Sequence, residues 1–260
     1  MILALKLFLT PVLIAAVSLA GRRWGPGVSG WLIGFPLTSG PVSVILALQH
    51  GNDFAARAAI GNLGGLASIG AFCLAYSGLA HKRPWWVCVA IAALAFLLAT
   101  AIWNVFTLSL LPTFVIALII NGLVIGLIPR RLAATVLFQP PRWDLPARMI
   151  VAATFVVLLT TFASILGPQL SGLLTPFPVF GAVLAVFAHR QQGAAAAMRF
   201  LRGHAISLFG FAAFFLVVGG TLPRLGGLGA YALATLAAVV VNGLSLRLAR
   251  EPDLPPESAA

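Results

Sequence analysis

One stretch of this chain occurs twice. Residues 29–57 return as residues 171–199 at a constant offset of 142, in one ungapped register. Ser29, Gly30, Leu32, Phe35, Pro36, Val44, Gln49, Gly51, Ala55 and Arg57 recur as Ser171, Gly172, Leu174, Phe177, Pro178, Val186, Gln191, Gly193, Ala197 and Arg199. The register extends back through Gly25-Pro26 (Gly167-Pro168) and forward through Gly61, Leu66, Ala71 and Phe72 (Gly203, Leu208, Ala213, Phe214). That makes 16 identities in the 48 positions from 25 to 72. Shared apolar composition explains matched Leu and Ala but not matched Gly, Pro, Gln and Arg. The pattern is that of an internal duplication, and a duplication governs every later fold assignment.

Composition sets the medium. The chain has 260 residues, of which 61% are hydrophobic and 8% charged, against about 25% charged in a soluble domain. Its apolar residues come in runs of about 20, the length of helix that crosses a bilayer's hydrocarbon core. The reading is an all-α polytopic membrane protein with the lipid bilayer as its first partner. A net charge of +11 invites a nucleic-acid partner, but the arginines cluster between apolar runs, where topology signals belong, so nucleic-acid binding is not expected. Cys73 and Cys88 lie inside apolar runs without metal-ligand spacing and read as packing residues.

The apolar runs are 2–20, 28–48, 57–79, 85–103, 106–128, 149–166, 169–188, 204–220 and 226–246. The first resembles a signal peptide, with Ser18-Leu19-Ala20 as a cleavage-like end. It lacks a leading basic region, however, and it aligns with 149–166, so a spanning helix is expected. Between 129 and 147 runs a Pro- and Arg-rich connector whose short apolar middle, 132–138, with Trp143 nearby, is expected to lie along the membrane surface.

The expected organisation is nine transmembrane helices: repeat one over 1–103, a linking helix and cytoplasmic connector over 104–147, repeat two over 148–247, and a disordered tail over 248–260. With five crossings ahead of the second repeat, that repeat enters from the opposite side, so the two four-helix repeats have inverted topology. Loop charge agrees. One side carries Lys6, Arg57 and Arg224, and the other carries the remaining thirteen of the chain's sixteen Lys and Arg. Cytoplasmic loops hold the excess of Lys and Arg, which puts the N-terminus outside and the C-terminus inside. For a bacterial chain that membrane is the inner one.

Within the repeated stretch, Phe35-Pro36-Leu37-Thr38-Ser39-Gly40-Pro41 and Pro176-Phe177-Pro178 followed by Gly181 sit near mid-span. Proline removes a backbone donor and clashes with the preceding turn, so both spans should break. Either each break is a tightly packed kink, or it lines a cavity, because an unpaired backbone group in hydrocarbon needs protein or water beside it. Paired broken helices in inverted repeats point to a secondary transporter's binding site.

Candidate substrate-binding residues are therefore Lys6, Phe35, Pro36, Thr38, Ser39, Arg57, Arg148, Thr175, Phe177, Pro178 and Arg199. Four of them are repeat-related cations near span ends, which favours a small polar or anionic solute. Asp53 is a candidate for proton coupling. The alternative is that Asp53 only neutralises Arg57 one turn later. Asn62 aligns with His204, so that position is polar in both copies. No nucleotide loop, metal cluster or nucleophile–base set stands out, so no cofactor and no enzymatic activity are expected.

Each copy resembles the GlpM-like family of small bacterial inner-membrane proteins, four-span chains of about a hundred residues. The resemblance rests on the early cation (Lys6; Arg148), the second-span Phe-Pro (Phe35-Pro36; Phe177-Pro178), and the Gly-x-x-x-x-x-Arg that follows (Gly51, Arg57; Gly193, Arg199). It covers roughly residues 6–103 and 148–245. This chain departs by being a tandem fusion, by its extra span, and by Leu-Thr-Ser-Gly-Pro after the first Phe-Pro. The resemblance implies architecture rather than activity. A non-transporting membrane scaffold or assembly factor is the alternative to transport, and an enzyme acting on a lipid-linked substrate is a weaker third possibility.

Overall fold

A computed structural model describes residues 2–129, 141, 143–165 and 177–249, with side chains for 10–129, 141, 143–158 and 177–246. Thr175, residues 130–140 of the connector and most of the tail lie outside the described residues, as does the side chain of Lys6. Among the described residues all regular structure is helical: α1 (Ile2–Trp24), α2 (Pro26–Ile33), α3 (Ser39–His50), α4 (Asn52–Leu79), α5 (Trp85–Trp103), α6 (Leu110–Leu127), α7 (Asp144–Ile165), α8 (Val179–Gln192) and α9 (Ala194–Ala249). Four of these, α4, α5, α6 and α9, are long and apolar enough to cross a membrane.

Helix ends fall at glycines in a conformation that L side chains rarely adopt. Gly51 ends α3 and opens α4 at φ 87°, and the matched Gly193 ends α8 and opens α9 at φ 88°. Gly226 interrupts α9 at φ 71°, dividing it into arms 194–225 and 227–249. The 221–225 segment, expected to be a loop, stays helical in spite of Pro223, and the chain turns only where glycine permits. The second arm folds back on the first. A Cβ placed on Gly210 would lie 2.3 Å from the Asn242 side chain. The corresponding pair in α4 and α5, Ser68 and Thr100, is joined by a buried 2.8 Å hydrogen bond.

The packing centres on α4 and α9. They lie against each other, and α6 packs on both. Asn121 of α6 donates to the carbonyl of Ala205 at 2.9 Å, and Val124 fills the space over Gly70. Helices α1 and α7, which occupy matched positions in the two copies, also pack together. The C-terminal end of α6 is satisfied by Arg202, whose guanidinium donates to the carbonyls of Ile125 and Ile128. Cations at helix C-termini satisfy orphan carbonyls and complement the macrodipole. This cap replaces the snorkelling to the interface that position alone suggests for Arg202. Large apolar side chains such as Leu98, Ile102, Leu123 and Leu236 are more than half exposed on the outer face, as expected of a surface that meets lipid.

The tightest approach joins α2 to α9. A Cβ on Gly30 would come within 1.8 Å of the Phe200 carbonyl oxygen, and one on Gly203 within 2.0 Å of the Gly27 carbonyl oxygen. Small residues allow such backbone approach between membrane helices. Gly30→Ala should therefore cost about 1–3 kcal/mol through overpacking. Gly61→Ala, whose Cβ meets nothing within 4 Å, should be neutral or slightly stabilising. Thermal unfolding of both variants in detergent would check the contrast.

Candidate functional site

The first break forms: the span splits into α2 and α3 with residues 34–38 between them. The chain ahead of Phe177 in the second span lies outside the described residues, and α8 starts directly after Pro178. Residues of the first break and of the start of α8 border one cavity of about 610 Å³. Phe35, Thr38 and Ser39 line it from the first break, and Phe177, Pro178 and Gly181 from the start of α8. From α4, α5 and α9 come Asn62, Ser68, Thr100, Trp103, Asn104 and His204.

The two matched phenylalanines have different surroundings. Phe177 packs edge-on against Phe72 and Phe96, with ring centroids 6.2 and 5.2 Å away, and is stacked with Phe155 at 5.8 Å. It thereby ties α4, α5 and α7 together at the mouth of α8. Phe35 sits 5.1 Å edge-on to Trp31, whose indole N–H donates to Ser245 at 3.1 Å. Pro36 turns away to line a second, apolar groove with Gly40, Phe214 and Tyr231.

Asn62 and His204 both reach the cavity. The Asn62 amide donates to the carbonyl of Ala58, one turn back, at 3.1 Å. His204 is 6% exposed, and neither ring nitrogen has a hydrogen-bond partner. A buried polar group without a partner costs free energy that native structures seldom leave uncompensated. Trp103 lies against Gly64, where a Cβ would come within 1.9 Å of the indole nitrogen. The amino-acid order does not single out Ser68, Thr100 or Trp103, because each takes its place only through the pairing of α4 with α5.

The three candidate cations whose side chains are described, Arg57, Arg148 and Arg199, lie elsewhere. Arg57 and Asp53 are both exposed at the start of α4, and the described ion pairs do not include them. Arg199 is buried at 8% exposure in α9 but does not line the cavity. Arg148 is buried in a polar cluster at the ends of three helices. Its guanidinium donates to the Asp144 carboxylate at 3.0 and 3.1 Å and to Gln191 at 2.7 Å. Arg22, from the end of α1, donates to the same carboxylate at 3.0 Å, and the Gln191 amide does so as well. The Arg148 guanidinium also sits 5.0 Å over the Phe187 ring.

Asp144 falls in the segment that the sequence assigns to the connector. It is fully buried in the first turn of α7, where a carboxylate suits the helix dipole. Gln191 was visible as a repeated residue without a role; here it holds the Arg148–Asp144 pair. Among the described residues no group of three or more His, Cys, Asp or Glu could hold a metal ion. No family model, curated protein or solved structure matches the chain.

Burial pushes the Asp144 carboxyl up, but hydrogen bonds from Gln191 and Arg148, the Arg148 charge and the hydrogen bond from Arg22 outweigh it and hold it below its ordinary value of 3.8. Its contribution to stability is therefore complete above that value and lost as pH falls through the lower, folded-state pKa. Melting temperature in detergent should fall across that acid window in the wild type, and Asp144→Asn should flatten the dependence. At neutral pH, Asp144→Ala should cost about 3–5 kcal/mol by leaving a buried guanidinium unpaired.

Proposed function

We propose that the chain is a secondary transporter for a small solute, working by alternating access between two inverted four-helix repeats of a nine-span inner-membrane protein. The observation that carries this reading is one cavity bordered by the first break and by the start of α8, with Thr38 and Ser39 lining it from the one and Phe177 and Pro178 from the other. Non-helical backbone at membrane depth is tolerated where it lines such a cavity, and a site between paired broken helices is the sequence-level pointer for transporters. A cavity of this size is within the roughly 300–1,000 Å³ range of small-ligand sites.

Two further observations support the repeat. Matched Gly51 and Gly193 adopt the same helix-opening conformation, and matched positions 68/100 and 210/242 make matched interhelical contacts. Residues assigned to the cytoplasmic side by loop charge also meet one another: Arg22 with Asp144, Arg148 with Gln191, and Tyr76 with His189 through a 3.2 Å hydrogen bond. The GlpM-like resemblance fits the same architecture, as a dimer of four-span units fused into one chain.

A solute path must be reachable from both faces in turn. Cys73 and Cys88 are buried, so a cysteine placed at Ser39 is the reporter. In oriented membrane vesicles Ser39→Cys should react with a membrane-impermeant maleimide added from either face. A dry scaffold would leave it unreactive from at least one face. Alkaline phosphatase and green fluorescent protein fusions should place the N-terminus outside and the C-terminus in the cytoplasm. Both termini on one side would remove the nine-span, inverted arrangement.

A further inference from the structure

The geometry points to a carboxylate site in this cavity: the N-terminal ends of α3 and α8, with the His204 imidazole, receive the head group of a monoanionic organic acid whose apolar body lies on the aromatic wall. The inference deepens the transporter reading and rests on it only for the claim that the cavity is the solute path.

The polar end is built from backbone. Thr38 and Ser39 enter α3, and Gly181 lies in the first turn of α8; all three line the cavity. Among the described residues the backbone N–H groups of these three have no hydrogen-bonded backbone partner, whereas their neighbours Gly40, Val42 and Ala182 donate to Pro36, Thr38 and Pro178. First-turn N–H groups are the orphan donors of a helix and, with the macrodipole, its anion site. Gly181 brings no side chain of its own to shield its amide. His204 stands beside it: a Cβ built on Gly181 would be 3.5 Å from His204 Nε2. An imidazole with an N–H and no protein partner is a donor awaiting an acceptor.

Charge counting selects the ligand. Among the described residues no Asp, Glu, Lys or Arg lines the cavity, so these residues offer a cation no counter-charge and a dianion too little. Each helix N-terminus carries roughly half a positive charge, so two of them match about one negative charge. The carbonyl end of α2 reaches the same first break and opposes α3 there, but α2 has only 8 residues, and the N–H of its cap, Gly34, turns back to Leu32. The α8 end, with 14 residues behind it and His204 beside it, is the stronger half of the site. The rest of the lining includes Phe35, Trp103, Phe177, Phe180 and Phe211, which suits an aromatic or aliphatic body rather than a sugar.

The test is equilibrium binding of radiolabelled benzoate and of its neutral isostere benzamide to the full chain in lipid nanodiscs. Benzoate should bind at least about tenfold more tightly. His204→Ala and Gly181→Ala should each weaken benzoate about tenfold while moving benzamide less than twofold. His204→Gln, which keeps an N–H donor, should recover most of the loss. The Gly181 variant guards against misfolding, because its Cβ would make only ordinary contacts. Equal binding of acid and amide, no saturable benzoate binding, or benzoate affinity unchanged in both variants would overturn the carboxylate site. Labelling of Ser39→Cys from both faces in any of those cases leaves the transporter reading standing. Labelling from one face only removes that reading whichever compound binds.

Discussion

The approach of α2 to α9 decides what the first break can become. Gly30 and Gly203 each place their α-carbon where any side chain would strike a backbone carbonyl of the other helix. A proline-broken span in hydrocarbon has free backbone groups that must be covered or wetted. Holding the short α2 flat against α9 covers one side of that span with protein, and the Trp31–Ser245 hydrogen bond fixes its rotation. Gly34 continues the same seam, with Ser207 in the space its side chain would take. The break then faces the remaining direction, toward α4, α5 and α8, where the cavity lies. Without the glycine seam the same prolines would give a kink in a loosely placed helix.

Much of this was legible in the chain because repetition carries information that composition does not. Phe35 and Phe177, taken alone, are ordinary membrane-facing aromatics; as a matched pair beside prolines they marked both walls of one cavity. The same logic misled for the cations. Arg57 and Arg199 are identical in the alignment, yet one is exposed and the other buried. A repeat preserves residue type while the surrounding half decides the environment. Arg148 is expected at a substrate site, but in the structure its guanidinium is neutralised by Asp144, a carboxylate in the segment that the sequence assigns to the connector. Asp144 is only four residues upstream of it, a helical spacing that becomes meaningful once α7 is known to start there.

Asn62 and His204 show the opposite outcome. Their equivalence is a mismatch in identity and a match in polarity, a weak signal by any count of conserved letters. In three dimensions both reach the cavity, and the histidine does so without a partner. Ser68 with Thr100, and Gly210 against Asn242, illustrate why such positions escape inspection. The first pair is a hydrogen bond and the second a steric fit, so the interhelical contact persists while its chemistry changes completely.

The distribution of charge bears on how such a protein could cycle. Its ionic cluster sits where three helices end, and its central cavity carries dipoles and hydroxyls but, among the described lining residues, no carboxylate, ammonium or guanidinium. A guanidinium or carboxylate in an apolar chamber needs a counter-ion at all times, and removing that partner strands a charge at a cost of several kcal/mol. Helix ends and an imidazole N–H would attract an anion at a smaller cost, since their dipoles are fixed by the fold and need no counter-ion. If the chamber is filled and emptied on each cycle, as the proposed transport requires, the second arrangement serves it better. The permanent ion pair, which gains nothing from being broken, belongs at the periphery, where it holds α1, α7 and α8 in register.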